Sequence, residues 1–255
     1  MEDLNLRNSF FSQFAKNLED NETATSYIKS RGIDLSLFKN NLGYCSPYSK
    51  YLFPLLRGRV IVPINDVHGR LIALAGRQIP QFENLVIDSF WSSFGTEPAK
   101  AQERVNKWLK GKWINEPYQK SKHLFNLDQA KYSIRENNYV ILVEGYFDVL
   151  ILQQYGIKNV VALCGTALSE HHLALLFRYC NRIVLLLDGD NAGKIASEKI
   201  LVRSNEFDMN PYRIFLPANK DPDDFVMTYG AESLLNPINH MLENELKDLT
   251  IAIGE

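Results

Sequence analysis

The stretch Tyr139-Val-Ile-Leu-Val-Glu-Gly145 is the strongest indication of the fold. It is an apolar run of strand length that is followed directly by the carboxylate of Glu144. Further along the chain, Arg182-Ile-Val-Leu-Leu-Leu-Asp-Gly-Asp190 repeats this pattern. Uninterrupted apolar runs are typical of strands that are buried on both faces of a parallel sheet. In open parallel sheets, ligands bind outside the carboxyl ends of the strands. The two runs therefore predict a parallel sheet with a ligand site at that edge.

Strand-like and helical segments alternate after residue 138. The predicted strands cover residues 139–143, 159–163, 182–187 and 212–216. The predicted helices cover residues 146–155, 169–180 and 191–205, and one or two more follow within 232–249. This alternation predicts an α/β fold in which helices cover both faces of a parallel sheet.

The residues before 138 combine helices with a β-hairpin, which predicts an α+β subdomain. Apolar residues recur at helical spacing in residues 3–30, and a short helix is expected at 33–38. Strands at 60–64 and 71–75 flank a turn, and Pro63 suggests an edge or bulge position. We expect an N-terminal subdomain (1–137), an α/β domain (138–230) and a C-terminal helical tail (231–255).

The composition is that of an ordinary globular protein, with 255 residues, 45% hydrophobic and 23% charged. The net charge of −2 means that any nucleic-acid contact must come from a local patch. Cys45, Cys164 and Cys180 lack metal-ligand spacing, so we expect free thiols and no zinc. An acidic N-terminus without an apolar signal core predicts a cytoplasmic protein, of a bacterium or of a virus-infected host, with no membrane partner.

Residues 97–135 form the most basic region, with nine Lys or Arg against four Asp or Glu. Aromatic residues lie in or just before it, namely Trp91, Trp108, Trp113 and Tyr118. Basic and aromatic residues together suit single-stranded nucleic acid. A solvated helix face with aromatic residues in the core explains the same pattern equally well.

Acidic residues follow the ends of three predicted strands. They are Glu144, the pair Asp188 and Asp190, and the pair Asp221 and Asp223. A carboxylate beside a buried strand is desolvated unless it meets a cation, so the cluster predicts a divalent metal site that acts on phosphates. Each acidic segment alone could be a solvated turn, and Pro222 would stiffen such a turn. Glu144 could hold a metal or act as a general base.

The acidic segments, in this order, resemble the TOPRIM domain of bacterial DnaG-type primases. The matching segments are residues 143–149, Gly165-Thr166, residues 188–193 and residues 221–223. TOPRIM domains also occur in topoisomerases, recombination proteins and nucleases. Upstream segments favour the primases, because they resemble the N-terminal subdomain of the primase core. These segments are residues 27–33, 43–44, 58–64, 76–77, 112–115 and 124–127.

The resemblance implies a primase core that makes short RNA primers on single-stranded DNA by metal-dependent nucleotidyl transfer. It implies at least two Mg²⁺ or Mn²⁺ ions held by Glu144, Asp188, Asp190, Asp221 and Asp223, of which the first three are also the implied catalytic residues. The implied contacts with nucleotide or template are Arg59, Arg77, Lys112, Trp113, Asn115, Lys120, Gly165 and Thr166. The implied partners are single-stranded DNA and nucleoside triphosphates, with a replicative helicase or a separate zinc-binding specificity protein as further candidates.

The sequence also departs from this family. We expect a minimal core without the zinc-binding and helicase-binding domains of the family. Trp113 stands where the family usually has Tyr. The stretch between Arg77 and Lys112 is much longer than in the family, which indicates an inserted lobe at about 78–111. A compact core of this kind would suit a virus, a plasmid or a mobile element. Two alternatives remain: a TOPRIM nuclease that cleaves DNA, and a non-catalytic accessory protein that binds single strands.

Overall fold

The computed structural model describes residues 2–39, 41–51, 53–95, 98–187, 191–217 and 220–251. The chain packs as two compact units. The first consists of residues 1–64 and 70–118, and the second of residues 65–69 and 119–255. The domain boundary expected at residues 137 and 138 stays a prediction. None of the described helices has the length and apolar character that a membrane span requires.

The first unit is built on a four-stranded sheet of order β1-β2-β3-β4. Its strands are β1 (Gly43–Cys45), β2 (Arg59–Asn65), β3 (Leu71–Gln78) and β4 (Trp113–Asn115). Its helices are α1 (Glu2–Glu19), α2 (Glu22–Ser30), α3 (Glu83–Phe94) and α4 (Ala99–Leu109). The side chains of Phe14, Ile61 and Leu74 pack together in its core. The predicted hairpin is present as β2 and β3.

The structure qualifies two local expectations in this unit. Strand β2 lies inside the sheet, between β1 and β3. Its pairing with β1 covers only Arg59 to Ile61, so Pro63 occupies a position that is locally an edge, as expected. The helix expected at 33–38 is a short 3₁₀ turn, Leu35–Leu37, which the Asp34 carboxylate caps by accepting the Ser36 N–H at 2.9 Å.

The second unit is an α/β structure around a five-stranded parallel sheet of order β6-β5-β7-β8-β9. Its strands are β5 (Val140–Val143), β6 (Val160–Ala162), β7 (Arg182–Leu185), β8 (Asn210–Phe215) and β9 (Asp248–Thr250). Its helices are α5 (Leu127–Asn137), α6 (Tyr146–Gln154), α7 (Glu170–Leu176), α8 (Asn191–Asn205), α9 (Pro222–Tyr229) and α10 (Glu232–Glu243). The predicted α/β fold class is confirmed.

The sheet is buried as the apolar runs predicted. Leu142 of β5 lies opposite Val161 of β6 and Leu185 of β7, and all three side chains are buried. Because β7 pairs with both β5 and β8, the carboxyl ends of these three strands lie side by side at one edge. This order brings together the ends from which the predicted acidic residues follow.

The sequence patterns missed α5 and α9 and misassigned β9. Helix α5 buries Leu127, Ala130 and Ile134, which recur at helical spacing. The segment around Pro222 is a helix start rather than a turn, since Asp221 is the N-cap and Pro222 is the first helical residue. The predicted helical tail is wrong at residues 248–250, which pair in parallel with β8 after α10 has ended.

Candidate active site

Glu144 and Asp221 both follow strands whose carboxyl ends lie at the same edge of the second unit's sheet. Glu144 comes directly after β5 and is half-buried, and its carbonyl oxygen accepts the Cys164 N–H at 2.9 Å. Asp221 begins α9 beyond the end of β8. Asp188 and Asp190 follow β7 in sequence but lie outside the described residues.

The start of α9 gathers three carboxylates. One oxygen from each of Asp221, Asp223 and Asp224 lies within 4.8 Å of the others. The Asp224 N–H donates to Asp221 Oδ1 at 3.0 Å and to Asp223 Oδ1 at 2.9 Å. The helix cap therefore orients two of the acidic side chains that the sequence singled out.

Asp223 has a strongly perturbed carboxyl group. Its side chain is buried, with 2% of the residue exposed. Burial, a hydrogen bond with Asp221, and the charges of Asp148 and Asp221 raise the pKa of Asp223 to about 8. A carboxyl group in such surroundings ionises readily only when a cation offsets the neighbouring charges. The donor set, hard carboxylate oxygens around a buried acid, fits a divalent ion such as Mg²⁺ or Mn²⁺.

Asp148 is a candidate site residue that sequence reasoning missed. It lies in the first turn of α6, and its Oδ2 accepts the Gly145 N–H at 2.7 Å. Helix α6 packs against α9, and the Asp148 charge is one of the causes of the raised Asp223 pKa. A signal was present, since Asp148 stands three residues after the N-cap Gly145, where an acidic side chain can close a capping box.

The loop after β6 contains the predicted nucleotide-binding residues Gly165 and Thr166. Cys164 and Gly165 both have positive φ, at 50° and 79°, so the backbone turns sharply here. Gly165 is exposed and Thr166 is half-buried. The Lys120 ammonium donates to the Cys164 carbonyl oxygen at 3.2 Å. The second unit therefore brings Lys120 together with the Gly165 loop.

His172 holds the backbone of Lys120 in place. Its ring Nδ1 accepts the backbone N–H of Ser169 at 3.2 Å, and the backbone N–H of His172 donates to Ser169 Oγ at 3.1 Å. Because Nδ1 accepts, the ring proton lies on Nε2, which donates to the Lys120 carbonyl oxygen at 2.8 Å. Burial lowers the pKa of His172 and favours this neutral form. No sequence pattern indicated this contact.

Arg59 does not fit the predicted contact with template or nucleotide. Only 1% of the residue is exposed. Its guanidinium donates to the carbonyl oxygens of Leu55 at 3.1 Å and Gly111 at 2.8 Å, and also to those of Gly76 and Leu109. Burial lowers the pKa of Arg59 to about 10. The structure therefore corrects this prediction, because the side chain fills a pocket of backbone acceptors.

The other predicted contacts of the first unit lie on β3 and β4 or directly before β4. Arg77 pairs with Trp113 in the sheet register, and its Cζ lies 5.5 Å from the Trp113 ring centroid. Arg77 Nε also donates to Tyr27 Oη at 2.8 Å. Lys112 is exposed, and Asn115 is half-buried opposite Ala75. Arg77, Lys112 and Trp113 are thus neighbours, whereas Lys120 belongs to the second unit.

Comparisons with known proteins agree with this architecture. Residues 141–226 match the family described as Toprim-like. DNA primase of Aquifex aeolicus is 31% identical over 258 residues, which cover 89% of this chain and 46% of that protein. A crystal structure of the zinc-binding and RNA polymerase domains of the Aquifex aeolicus primase superposes with a TM-score of 0.71 at 30% identity, covering 90% of this chain and 59% of that one.

A structure of the DnaG catalytic core also superposes with a TM-score of 0.71, at 25% identity, covering 95% of this chain and 83% of that one. The chain spans about half the length of the Aquifex aeolicus relative and 30% of a DNA primase from Listeria monocytogenes. Together, these similarities show that the chain has a DnaG-type primase core with a Toprim-like domain.

Proposed function

We propose that this DnaG-type primase core synthesises short RNA primers on single-stranded DNA by metal-dependent nucleotidyl transfer. The observation that carries the proposal is Asp223, a buried carboxyl group beside Asp221 and under the influence of the Asp148 charge. A carboxyl group so disfavoured in its ionised form has a chemical reason to bind a cation.

The acidic residues would hold the ions. Asp221 and Asp223 would contribute from the start of α9, and Glu144, Asp188 and Asp190 are proposed from the sequence. Divalent ions bound there would polarise phosphate oxygens and lower the pKa of the attacking 3′-hydroxyl group. Asp223 would give up its proton when the cation arrives, and Glu144 is the candidate general base.

The basic residues would neutralise phosphate charge. Lys120 is held by two contacts, through its ammonium to Cys164 and through its carbonyl oxygen to His172. Lys112 is exposed and can reach an anion without breaking a described contact. We propose that both bind triphosphate or template phosphates, with Arg77 and Trp113 beside Lys112.

A primer-synthesis assay tests the proposal. The protein would be incubated with varied single-stranded DNA templates, labelled nucleotides and either Mg²⁺ or Mn²⁺. We expect short RNA products whose formation falls at least about a hundredfold in Asp223→Asn and Asp188→Asn, because each change removes a charge from the proposed metal site. The matched control is Asp208→Asn, which removes an exposed carboxylate from the same unit.

The same incubation without nucleotides separates the alternatives. Metal-dependent cleavage of single-stranded DNA, with no nucleotide incorporation in the full reaction, would establish a nuclease instead. Normal binding of single strands without any metal-dependent chemistry would establish an accessory protein. The helicase and the zinc-binding specificity protein stay predictions, which adding each candidate partner to the assay would test.

A further inference from the structure

Helices α3 and α4 form a hairpin that connects β3 to β4 within the first unit. Trp91 Nε1 donates to Asn106 Oδ1 at 2.8 Å and joins the two helices. Lys110 forms an ion pair with Glu83 at 3.1 Å. Val86 of α3 and Leu109 of α4 are buried in the core of the unit. These contacts fix α4 to the unit and leave its opposite face to the solvent.

The outer face of α4 carries a basic stripe, which we define as Lys100, Arg104, Lys107 and Trp108. At about 100° per residue, these four side chains fall within an arc of roughly 100° around the helix axis. All four are exposed, and 57% of Trp108 is accessible to solvent. Arg104, Lys107 and Trp108 also line a shallow hollow with the apolar side chains of Ala101 and Val105.

The cations of the basic stripe differ from their neighbour Lys110, because only Lys110 of these described residues forms an ion pair. Lys110 is neutralised by Glu83. Within the described part of the chain, Lys100, Arg104 and Lys107 form no ion pair with a carboxylate. Glu103 is the acidic residue of α4, so the exposed face keeps an excess of positive charge. This charge is complementary to a polyanion.

We propose that the basic stripe binds single-stranded DNA, with Lys100, Arg104 and Lys107 on phosphates and Trp108 stacked on an unpaired base. The three cations span about 10 Å along the helix, the length of about three phosphates in a stacked strand. An exposed ring beside cations suits a single strand, because the bases of a duplex are stacked on each other. The choice of DNA rests on the proposed function, which this inference extends by a second template contact.

Fluorescence anisotropy with a labelled oligothymidine, without metal or nucleotide, tests the proposal. The triple variant K100Q/R104Q/K107Q should bind roughly tenfold more weakly or worse at moderate salt. The slope of log K against log salt concentration should become shallower by about 2, at about 0.7 for each lost phosphate contact. Trp108→Ala should weaken binding at least about fivefold. All the changed residues are exposed, so the melting temperatures of both variants should equal that of the wild-type protein.

The matched control is K16Q/K39Q/K50Q, which removes the same charge from exposed lysines elsewhere in the first unit. Unchanged binding in the stripe variant, or an equal loss in the control, would overturn the proposal. Equally tight binding of wild-type protein to a blunt duplex would overturn the single-strand assignment. Because the assay needs no catalysis, it still decides the role of the stripe if primer synthesis is absent.

Discussion

A carboxylate oxygen of Asp221 lies within 4.8 Å of one of Asp223, and only Asp223 of the two is buried. Asp221 is half-buried and keeps some contact with solvent, whereas the buried Asp223 carboxyl group is disfavoured in its ionised form by burial and by the charges around it. We therefore expect a bound cation to stabilise the start of α9.

Asp223→Asn should separate the stability of the fold from metal binding. Asn keeps the size of the side chain but removes the group whose ionised form is disfavoured, so the metal-free variant should melt no lower than wild type. Wild-type protein should gain about 1.4 kcal/mol at a Mg²⁺ concentration tenfold above its Kd, and the variant should lose this gain. Thermal melts of both proteins with and without Mg²⁺ measure the metal-free stability and the gain from Mg²⁺. An equal Mg²⁺ gain in the two proteins would contradict the assignment.

Asp148 has two roles that two substitutions separate. Asp148→Ala removes both the charge and the acceptor of the Gly145 N–H, so it should cost about 1 kcal/mol of stability as well as activity. Asp148→Asn keeps an acceptor oxygen and should retain most of the stability while lowering the pKa of Asp223. Urea denaturation and metal-dependent activity, measured in parallel, distinguish the two. Full activity in Asp148→Asn would show that Asp148 serves only to cap helix α6 and that its charge has no role in the site.

Removal of the Arg59 charge should mainly reduce the stability of the protein, whereas removal of the Lys112 charge should mainly reduce DNA binding. Arg59→Met leaves buried carbonyl oxygens without donors and should destabilise the first unit by about 3 kcal/mol or more. Lys112→Gln changes an exposed side chain and should alter stability by less than about 0.5 kcal/mol, while weakening DNA binding. Urea denaturation and anisotropy measure these effects. A stable Arg59→Met protein that fails to bind DNA would restore the template role of Arg59.

His172 should make stability depend on pH. Burial lowers its pKa below the 6.5 of an unperturbed His, so the unfolded state binds more protons between the two values. Stability is therefore fully present above pH 6.5 and falls on acidification, by at most about 1.4 kcal/mol per pH unit for this group. His172→Gln keeps a donor for the Lys120 carbonyl oxygen and should show a smaller fall between pH 7 and 5.

Urea denaturation at several pH values measures this difference. His123, whose pKa is also lowered by burial, is present in both proteins, so the difference between the two profiles reports on His172. Identical pH profiles would show that His172 titrates as it does in the unfolded chain. His172→Ala should in addition reduce activity, because Lys120 loses the donor to its carbonyl oxygen.

The central strands of the second sheet were predictable because they belong to uninterrupted apolar runs. Strands β5 and β7 lie inside the predicted segments, and α8 has the predicted bounds. Strands β1 and β4 escaped prediction because each has three residues, too few to show a period of two. Their place is set by pairing with β2 and β3, which is a tertiary effect.

The candidate site was predictable where the chemistry is local. Asp221 and Asp223 could be chosen because acidic residues follow an apolar strand. Arg59 and Lys112 look alike in the sequence, but the acceptors around Arg59 come from segments up to 52 residues away. Only the folded chain brings these carbonyl oxygens together, so burial of the guanidinium could not be foreseen.

Strand β9 covers the β8 side of the second sheet. It pairs with β8 through Arg213 and Asp248, which are joined side chain to side chain at 2.6 and 2.8 Å. Without it, β8 would present a row of open backbone donors and acceptors to other molecules. Three residues that carry an exposed acidic side chain offer little template for another strand. A short edge strand with an exposed acidic side chain therefore disfavours edge-to-edge pairing between copies of this protein.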